Sequence, residues 1–368
     1  MREGWSNYRC PFKRLRSVPE IYCPPESGLQ CSHRPMKHGL QTEDSILRRI
    51  MGMAKFPLRR FPGGSIALGI GDDAALFRPK SGREVILTCD WFLEGTHFLR
   101  DKHPPQAVGW KCLARAVSDV AAMGGVPRCF LLSLALPATH TGAWLDRFLG
   151  GLRRASRKFE CALAGGDTTK HEKILINVTV LGDARAGRAI RRSGTRPGDA
   201  IYVSGRLGEA EWGLRTLKRR RGPSNDTDPL TRKHLYPEPR LALGQWLAEK
   251  RMATTMMDLS DGLSSDLPRL CRASGVGARV HLDRIPLPNL PVTDLKRGID
   301  PVRLALHGGD DYELLFTVPR RSMSRIPTSF QGVRLTPIGE ITRDYEVQLM
   351  REDGSGQLLV PGGWDPFR

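Results

Sequence analysis

The run PPQAVGWKCLARAVSDVAAMGG, Pro104 to Gly125, is followed almost at once by CFLLSLALP, Cys129 to Pro137. This pair constrains the fold more than any other segment. Apolar residues at helical spacing that stop on Gly124-Gly125 predict a helix. The unbroken apolar run after it predicts a buried strand. A helix that lays its apolar stripe on a buried strand requires α/β layering.

The same alternation continues along the chain. TEDSILRRIMGM opens ordered sequence near Thr42 with an N-cap threonine, early acids and an apolar set at Ile46, Leu47, Ile50 and Met51. SIALGIGDDAALFRP and EVILTCDWF are β-rich, GAWLDRFLGGLRRASRKF is a second helix, and CALAGGDTT and KILINVTVLG are strand signals. After the loop RSGTRPGD the pattern resumes with AIYVSG, EAEWGLRTLKRR, PRLALGQWLAEK, ATTMMDLSDGLSSDLPRLCRASG, DDYELLFTVP and RLTPIGEI. The expectation is a mixed α/β (α+β) protein of two domains, residues 42–185 and 190–368. Residues 1–41 are rich in Pro, Arg and Ser without a helical or strand period, and read as a disordered basic extension. No fixed-period repeat is present.

Lys+Arg 57 against Asp+Glu 39 gives a net charge of +18, which favours anionic partners. No zinc-finger spacing or aromatic RNA-binding signature accompanies it, and LKRRRG followed by PSNDTDP reads as a solvated helix end. Nucleic acid is therefore not expected as a partner, and neither is a membrane, since no apolar run is long enough to span one. The eight cysteines form no C-x-x-C pair, and several sit in apolar runs, which points to a reducing, cytoplasmic setting.

Carboxylates recur where strands and helices meet glycine or hydroxyl turns. These are Asp72 and Asp73 in GIGDDAA, Asp90 in VILTCD, Asp119 in AVSDVAAMGG, Asp167 in LAGGDTTK, Asp258 and Asp261 in MMDLSDGL, and Asp310 and Asp311 in LHGGDDYELL. Singly, each is ordinary turn or cap chemistry. Asp119 and Asp90 resist that reading. Asp119 opposes its helix dipole and borders an apolar face, and Asp90 closes an apolar strand. If several converge, two carboxylates about 4 Å apart repel by about 4 kcal/mol at an effective dielectric near 20. An oxygen-only donor set without His or Cys favours Mg²⁺, which joins carboxylates to substrate phosphates. There is no Walker-type P-loop. Backbone amides at Gly165-Gly166, the helix start at Ser260-Asp261-Gly262, and Arg192 are the candidate phosphate-binding elements.

Taken in order, GIGDDAAL, LTCDWFLEGTHF, VGWKCLARAVSDVAAMGGVP, LAGGDTTK, RRSGTRPGD, MMDLSDGLSSDL, GGDDYELLF and GGWDPF closely resemble the thiamine-monophosphate kinase family. The resemblance covers nearly all of the chain from Thr42 onward. It implies the AIR synthase-like fold, a homodimer whose N-terminal-domain strands form a barrel, and a C-terminal α/β domain. It implies ATP-dependent phosphorylation of thiamine monophosphate to thiamine diphosphate by direct in-line transfer with several Mg²⁺ ions. By motif position it implies metal ligands at Asp73, Thr88, Cys89, Asp90, Asp119, Asp167, Asp258 and Asp261, with Asp90 and Asp119 at the catalytic centre. It places Gly166, Asp167, Arg192 and Ser260 on the nucleotide, and His97, Asp310 and Trp364 on the substrate. Cys89 stands where the family often has threonine, so only its backbone carbonyl suits Mg²⁺. Asp310 stands where the family has glutamate, shorter by roughly 1.5 Å of reach.

Other readings remain at this stage. A different ATP-using member of the superfamily, such as aminoimidazole-ribonucleotide synthetase or selenophosphate synthetase, is one. For the latter, Cys10 in RCPFKR lacks the expected glycines. An NAD-dependent oxidoreductase would use Gly69-x-Gly71-x-x-Ala74 with Asp90, but Pro79 and Gly82 come too soon for the helix that this turn should open. The glycines instead suit a tight strand-to-strand turn.

Overall fold

A computed structural model of the 368-residue chain describes residues 43–54, 66–70, 74–222, 228–365 and 367. The first part contains α1 (Glu43–Ala54), β1 (Ile66–Leu68), β2 (Leu76–Phe77), β3 (Arg83–Leu93), α2 (Pro105–Ala122), β4 (Val126–Leu136), α3 (Ala143–Lys158), β5 (Ala162–Lys170) and β6 (Leu175–Arg185). β1 and β2 pair antiparallel, so the chain reverses direction between Leu68 and Leu76. The turn residues 71–73 themselves lie outside the described residues.

A four-stranded sheet runs β3-β6-β4-β5, open at both edges. One face carries Ile86, Phe92, Leu132, Val178 and Val180 into a core shared with α2 and α3. The other face of β3 presents Val85, Leu87 and Trp91 to solvent. Period-2 alternation separates the two sets. The helices approach closely because Gly151 faces Gln106: a Cβ at Gly151 would meet the Gln106 carbonyl at 1.9 Å.

The second part contains β7 (Ala200–Ser204), α4 (Glu209–Arg219), α5 (Pro229–Leu235), α6 (Leu241–Glu249), β8 (Thr255–Asp258), α7 (Leu263–Ser274), β9 (Gly277–His281), α8 (Val292–Lys296), α9 (Pro301–His307), β10 (Leu314–Val318), β11 (Ser329–Phe330), β12 (Val333–Thr342), β13 (Val347–Met350) and β14 (Gly356–Leu358). Its sheet runs β14-β13-β9-β12-β7-β10-β8, with β11 against β12. Separate apolar clusters fill its two faces, one under α7 and α9 and one under α6. Helix α2 joins the two parts. It packs on α3, β3 and β6, and its C-terminal end meets α6 and β8.

Candidate active site

Helix α2 delivers Ser118 and Asp119 to the junction with β8. Ser118 is fully buried, and its Oγ donates a 2.7 Å hydrogen bond to Oδ2 of Asp258, the last residue of β8. Asp119 is half-buried and accepts a hydrogen bond from Thr88 Oγ1 on β3. Thr88 and Asp90 are two residues apart on a strand and therefore share the face turned toward α2. Three carboxylates from three elements are thus gathered, and burial is the main influence on each. Burial raises Asp90 to about 6, with repulsion from Asp119 adding to it and Arg115 opposing. Burial raises Asp119 too, against the Thr88 hydrogen bond and the cations Arg192 and Arg115. Burial and then repulsion from Asp119 push Asp258 up.

The loops around this cluster are stitched by backbone hydrogen bonds. Asp310 N donates to Ser260 O at 2.8 Å, Tyr312 N to Leu259 O at 2.9 Å, and Trp364 N to Asp261 O at 3.0 Å. The Asp258–Gly262 turn, the GGDDY turn and the C-terminal Gly-Gly-Trp are therefore stacked. Asp261 is tied to Arg269, which also bonds Asp266 at 2.8 Å. Trp364 is 46% exposed and lines a cavity of about 380 Å³ with Arg215, Arg303 and His307.

Beneath the GGDDY turn lies a buried polar chain. Lys111 Nζ donates to Asp310 Oδ2 at 2.8 Å, and Tyr312 Oη donates to Oδ1 at 2.7 Å. Lys111 Nζ is also 3.1 Å from His234 Nδ1, and His234 Nε2 is 3.0 Å from His103 Nε2. Burial lowers both histidines, His103 to about 3, so both rings are neutral. Burial alone would raise Asp310, but Lys111, then Arg115 and His234, hold its carboxyl far below the usual range. Asp310 has φ +67°, a conformation that costs a non-glycine residue on the order of 1–3 kcal/mol. His97 Nδ1 accepts from Leu93 N at 3.0 Å, and burial followed by Arg115 lowers the ring to about 4.

Two family models cover the chain: AIR synthase related protein, N-terminal domain, over residues 71–184, and AIR synthase related protein, C-terminal domain, over residues 196–351. Thiamine-monophosphate kinase of Escherichia coli (strain K12) is 38% identical over 309 residues, covering 82% of this chain and 92% of that protein. The chain belongs to the thiamine-monophosphate kinase family. Its fold is the two-domain AIR synthase-like fold. The crystal structure of thiamine-monophosphate kinase from Stenotrophomonas maltophilia K279a superposes with a TM-score of 0.72 at 34% identity, over 84% of this chain and 96% of that one. The structure described as AaThiL complexed with AMPPCP and TMP gives 0.68 at 33% identity, over 88% and 96%.

Most residues that the thiamine-monophosphate kinase resemblance singles out fall around α2. Thr88, Asp90, Asp119 and Asp258 form the carboxylate cluster. Ser260, Asp261, Asp310 and Trp364 share the stacked turns. His97 and Arg192 bear on the same groups electrostatically. Gly166 and Asp167 do not join them within one chain. The register row Asp90–Val178–Leu132–Gly166 crosses the whole sheet, three strand spacings or about 14 Å. Asp167 is exposed there and lines a cavity of about 650 Å³ with Ser133, Thr179 and Leu181, beside Gly69, Ile70 and Ala74. Asp72 and Asp73 lie outside the described residues. The Cys89 thiol is exposed and contacts Asn177 at 3.1–3.3 Å, on the face opposite Thr88 and Asp90, so the thiol itself is turned away from Asp119.

Among the described residues, no group of three or more His, Cys, Asp or Glu is drawn tightly enough to hold a metal ion unaided. The donors at hand are oxygens whose charged forms are disfavoured by burial and mutual repulsion, an effect that Arg115 and Arg192 offset only in part. Mg²⁺ fits such an incomplete oxygen set, because it completes its shell with water and phosphate. Sequence reasoning missed Lys111, Arg115, Ser118 and Tyr312. The available signal was the i, i+4, i+8 spacing of Lys111, Arg115 and Asp119, which puts all three along one stripe of α2.

Proposed function

We propose that this chain transfers the γ-phosphoryl group of ATP to thiamine monophosphate, giving thiamine diphosphate by direct in-line displacement. The observation that carries the reading is the match to 92% of the E. coli kinase, joined to a buried carboxylate cluster in which the neighbouring hydroxyls, Ser118 and Thr88, are hydrogen-bonded to the carboxylates. Asp90, Asp119 and Asp258 would hold Mg²⁺, with Asp73, Asp261, Thr88 and the Cys89 carbonyl as further ligands and Asp167 reaching the metals from the partner chain of the homodimer. Bound there, several Mg²⁺ ions would neutralise charge on the transferring phosphoryl group. The protein's own part is positioning. Thr88 and Ser118 fix the orientation of Asp119 and Asp258, and Asp119 and Asp90 would hold the reacting phosphates in place through the metal. Arg192 and Ser260 would bind the nucleotide from one chain, and Gly166 and Asp167, at the opposite sheet edge from Asp90, would reach it from the partner chain of the homodimer. His97, Asp310 and Trp364 would line the substrate side, with Trp364 stacking on the cationic ring.

The same reading includes domains at 42–185 and 190–368, and a homodimer in which the N-terminal sheets of two chains close a barrel. The exposed Val85, Leu87 and Trp91 on edge strand β3 support that pairing. Light scattering should give twice the 41.0 kDa chain mass. For activity, purified protein with ATP, Mg²⁺ and thiamine monophosphate should form thiamine diphosphate, read by chromatography. A folded protein that phosphorylates other acceptors but never this one overturns the assignment.

A further inference from the structure

We infer that Arg115 is a specificity residue that grips the phosphate of the phosphorylated acceptor, so that the site takes thiamine monophosphate in preference to unphosphorylated thiamine. This rests on thiamine monophosphate being the substrate. Arg115 projects from the middle of α2 with its guanidinium 5.4 Å from the centre of the Phe92 ring, which supports it from one side. Its Nε is buried without a hydrogen-bond partner. Its nearest ion-pair contact is Nη1 to Asp310 Oδ1 at 3.7 Å, too long for a hydrogen bond. Asp310 is already engaged by Lys111 and Tyr312 at 2.8 and 2.7 Å. A guanidinium has five donors in a planar fork. Here the fork is aimed among carboxylates without a bidentate partner among them.

The position selects the acceptor phosphate over the nucleotide. Arg115 and Asp119 are four residues apart, so their Cα atoms are separated by about 6 Å along the helix axis. That spacing lets one phosphate touch the Asp119 side and the guanidinium together. Arg115 shares its surroundings with His97 and Asp310, the substrate-side residues, and Asp119 lies within electrostatic range of both Arg115 and Arg192. Its side chain keeps 16% exposure, against 1% for Lys111 one turn earlier on the same stripe. Lys111 is committed to the protein, and Arg115 retains access to a ligand. Asp310, clamped from below, positions Arg115 and is not free to reach the ligand with both oxygens.

The test is calorimetry of thiamine monophosphate and of thiamine, with Mg²⁺ and a non-hydrolysable ATP analogue, on wild-type protein, Arg115→Met and Arg115→Lys. Wild type should prefer the phosphorylated ligand. Arg115→Met should weaken thiamine monophosphate by about tenfold or more, the scale of a charge-assisted hydrogen bond, while the affinities for thiamine and the ATP analogue stay put. Arg115→Lys keeps the charge and the stem over Phe92 but loses the fork, so it should lose less; it also decides the matter should the methionine variant fail to fold. An unchanged preference in a folded variant overturns the inference and leaves the kinase reading intact. A loss confined to the ATP analogue overturns it as well. Wild-type protein that neither binds nor phosphorylates thiamine monophosphate sinks the functional reading and this inference together.

Discussion

Ser118 Oγ and Asp258 Oδ2 are 2.7 Å apart, and both side chains are buried. One belongs to α2 of the N-terminal part and the other to β8 of the C-terminal part, so this hydrogen bond ties α2 to the C-terminal sheet at the carboxylate cluster. Asp258 carries its charge only at a cost, because burial and Asp119 push its carboxyl up. The serine hydroxyl offsets part of that cost.

Ser118→Ala therefore leaves a buried carboxyl without its donor. A destabilisation of about 1–3 kcal/mol is expected in urea unfolding of the metal-free protein. A variant as stable as wild type would show that Asp258 finds another donor or sits protonated without penalty.

Asp119→Asn separates chemistry from folding. The amide oxygen can still accept from Thr88, while the buried charge is gone. Mg²⁺-dependent turnover should fall by about a hundredfold or more. The melting temperature without metal should hold or rise, since a carboxyl raised by burial destabilises the folded state once ionised. Near-normal turnover would remove Asp119 from the reaction centre.

Asp311 sets a pH dependence away from the carboxylate cluster. Its oxygens accept from Gly208 N and Ala210 N at the start of α4, yet burial dominates and raises it to about 8. The folded protein keeps a proton that the unfolded chain releases near pH 4. Stability from this group is full below about pH 4 and is lost as pH rises through about 8. Urea midpoints should decline from pH 6 to 8, and Asp311→Asn should flatten that decline. An identical slope in the variant would assign the proton elsewhere.

Gly166→Ala tests the β4–β5 seam. Gly166 has φ +153°, and a Cβ there would meet the Leu132 carbonyl at 1.9 Å. The carbonyl is backbone in the sheet centre and cannot move alone. The variant should lose several kcal/mol, or about 3 kcal/mol at the least, and accumulate as insoluble protein. A soluble variant with an unshifted thermal transition would mean that the seam relaxes freely.

The long elements were legible because their periodicity is strong. The helix expected between Pro104 and Gly125 folded as α2 over Pro105–Ala122, and Cys129 to Leu136 did enter the sheet as part of β4. Short helices such as α5 and α9 carry too few residues for a period to show, although Asp228-Pro229 and Asp300-Pro301 mark their starts as cap and first turn. The site was legible as residue types but not as a map. Asp90 and Asp167 look equivalent in sequence, each at a strand end, and only the order β3-β6-β4-β5 sets them at opposite edges. Lys111 reads as one more apolar-helix lysine until Asp310, far away in sequence, closes on it. Strand order and long-range pairing are tertiary facts that no local pattern encodes.

Lys111, Arg115, Ser118 and Asp119 all ride on one uninterrupted 18-residue helix. A rigid rod cannot shift at one point and stay still at another. If the two sheets hinge, opening the Ser118–Asp258 latch must also lever Lys111 against Asp310. Occupancy near Asp119 and occupancy near Asp310 are then not independent events. Each ligand would change the affinity for the other by the same factor, because the linkage is reciprocal.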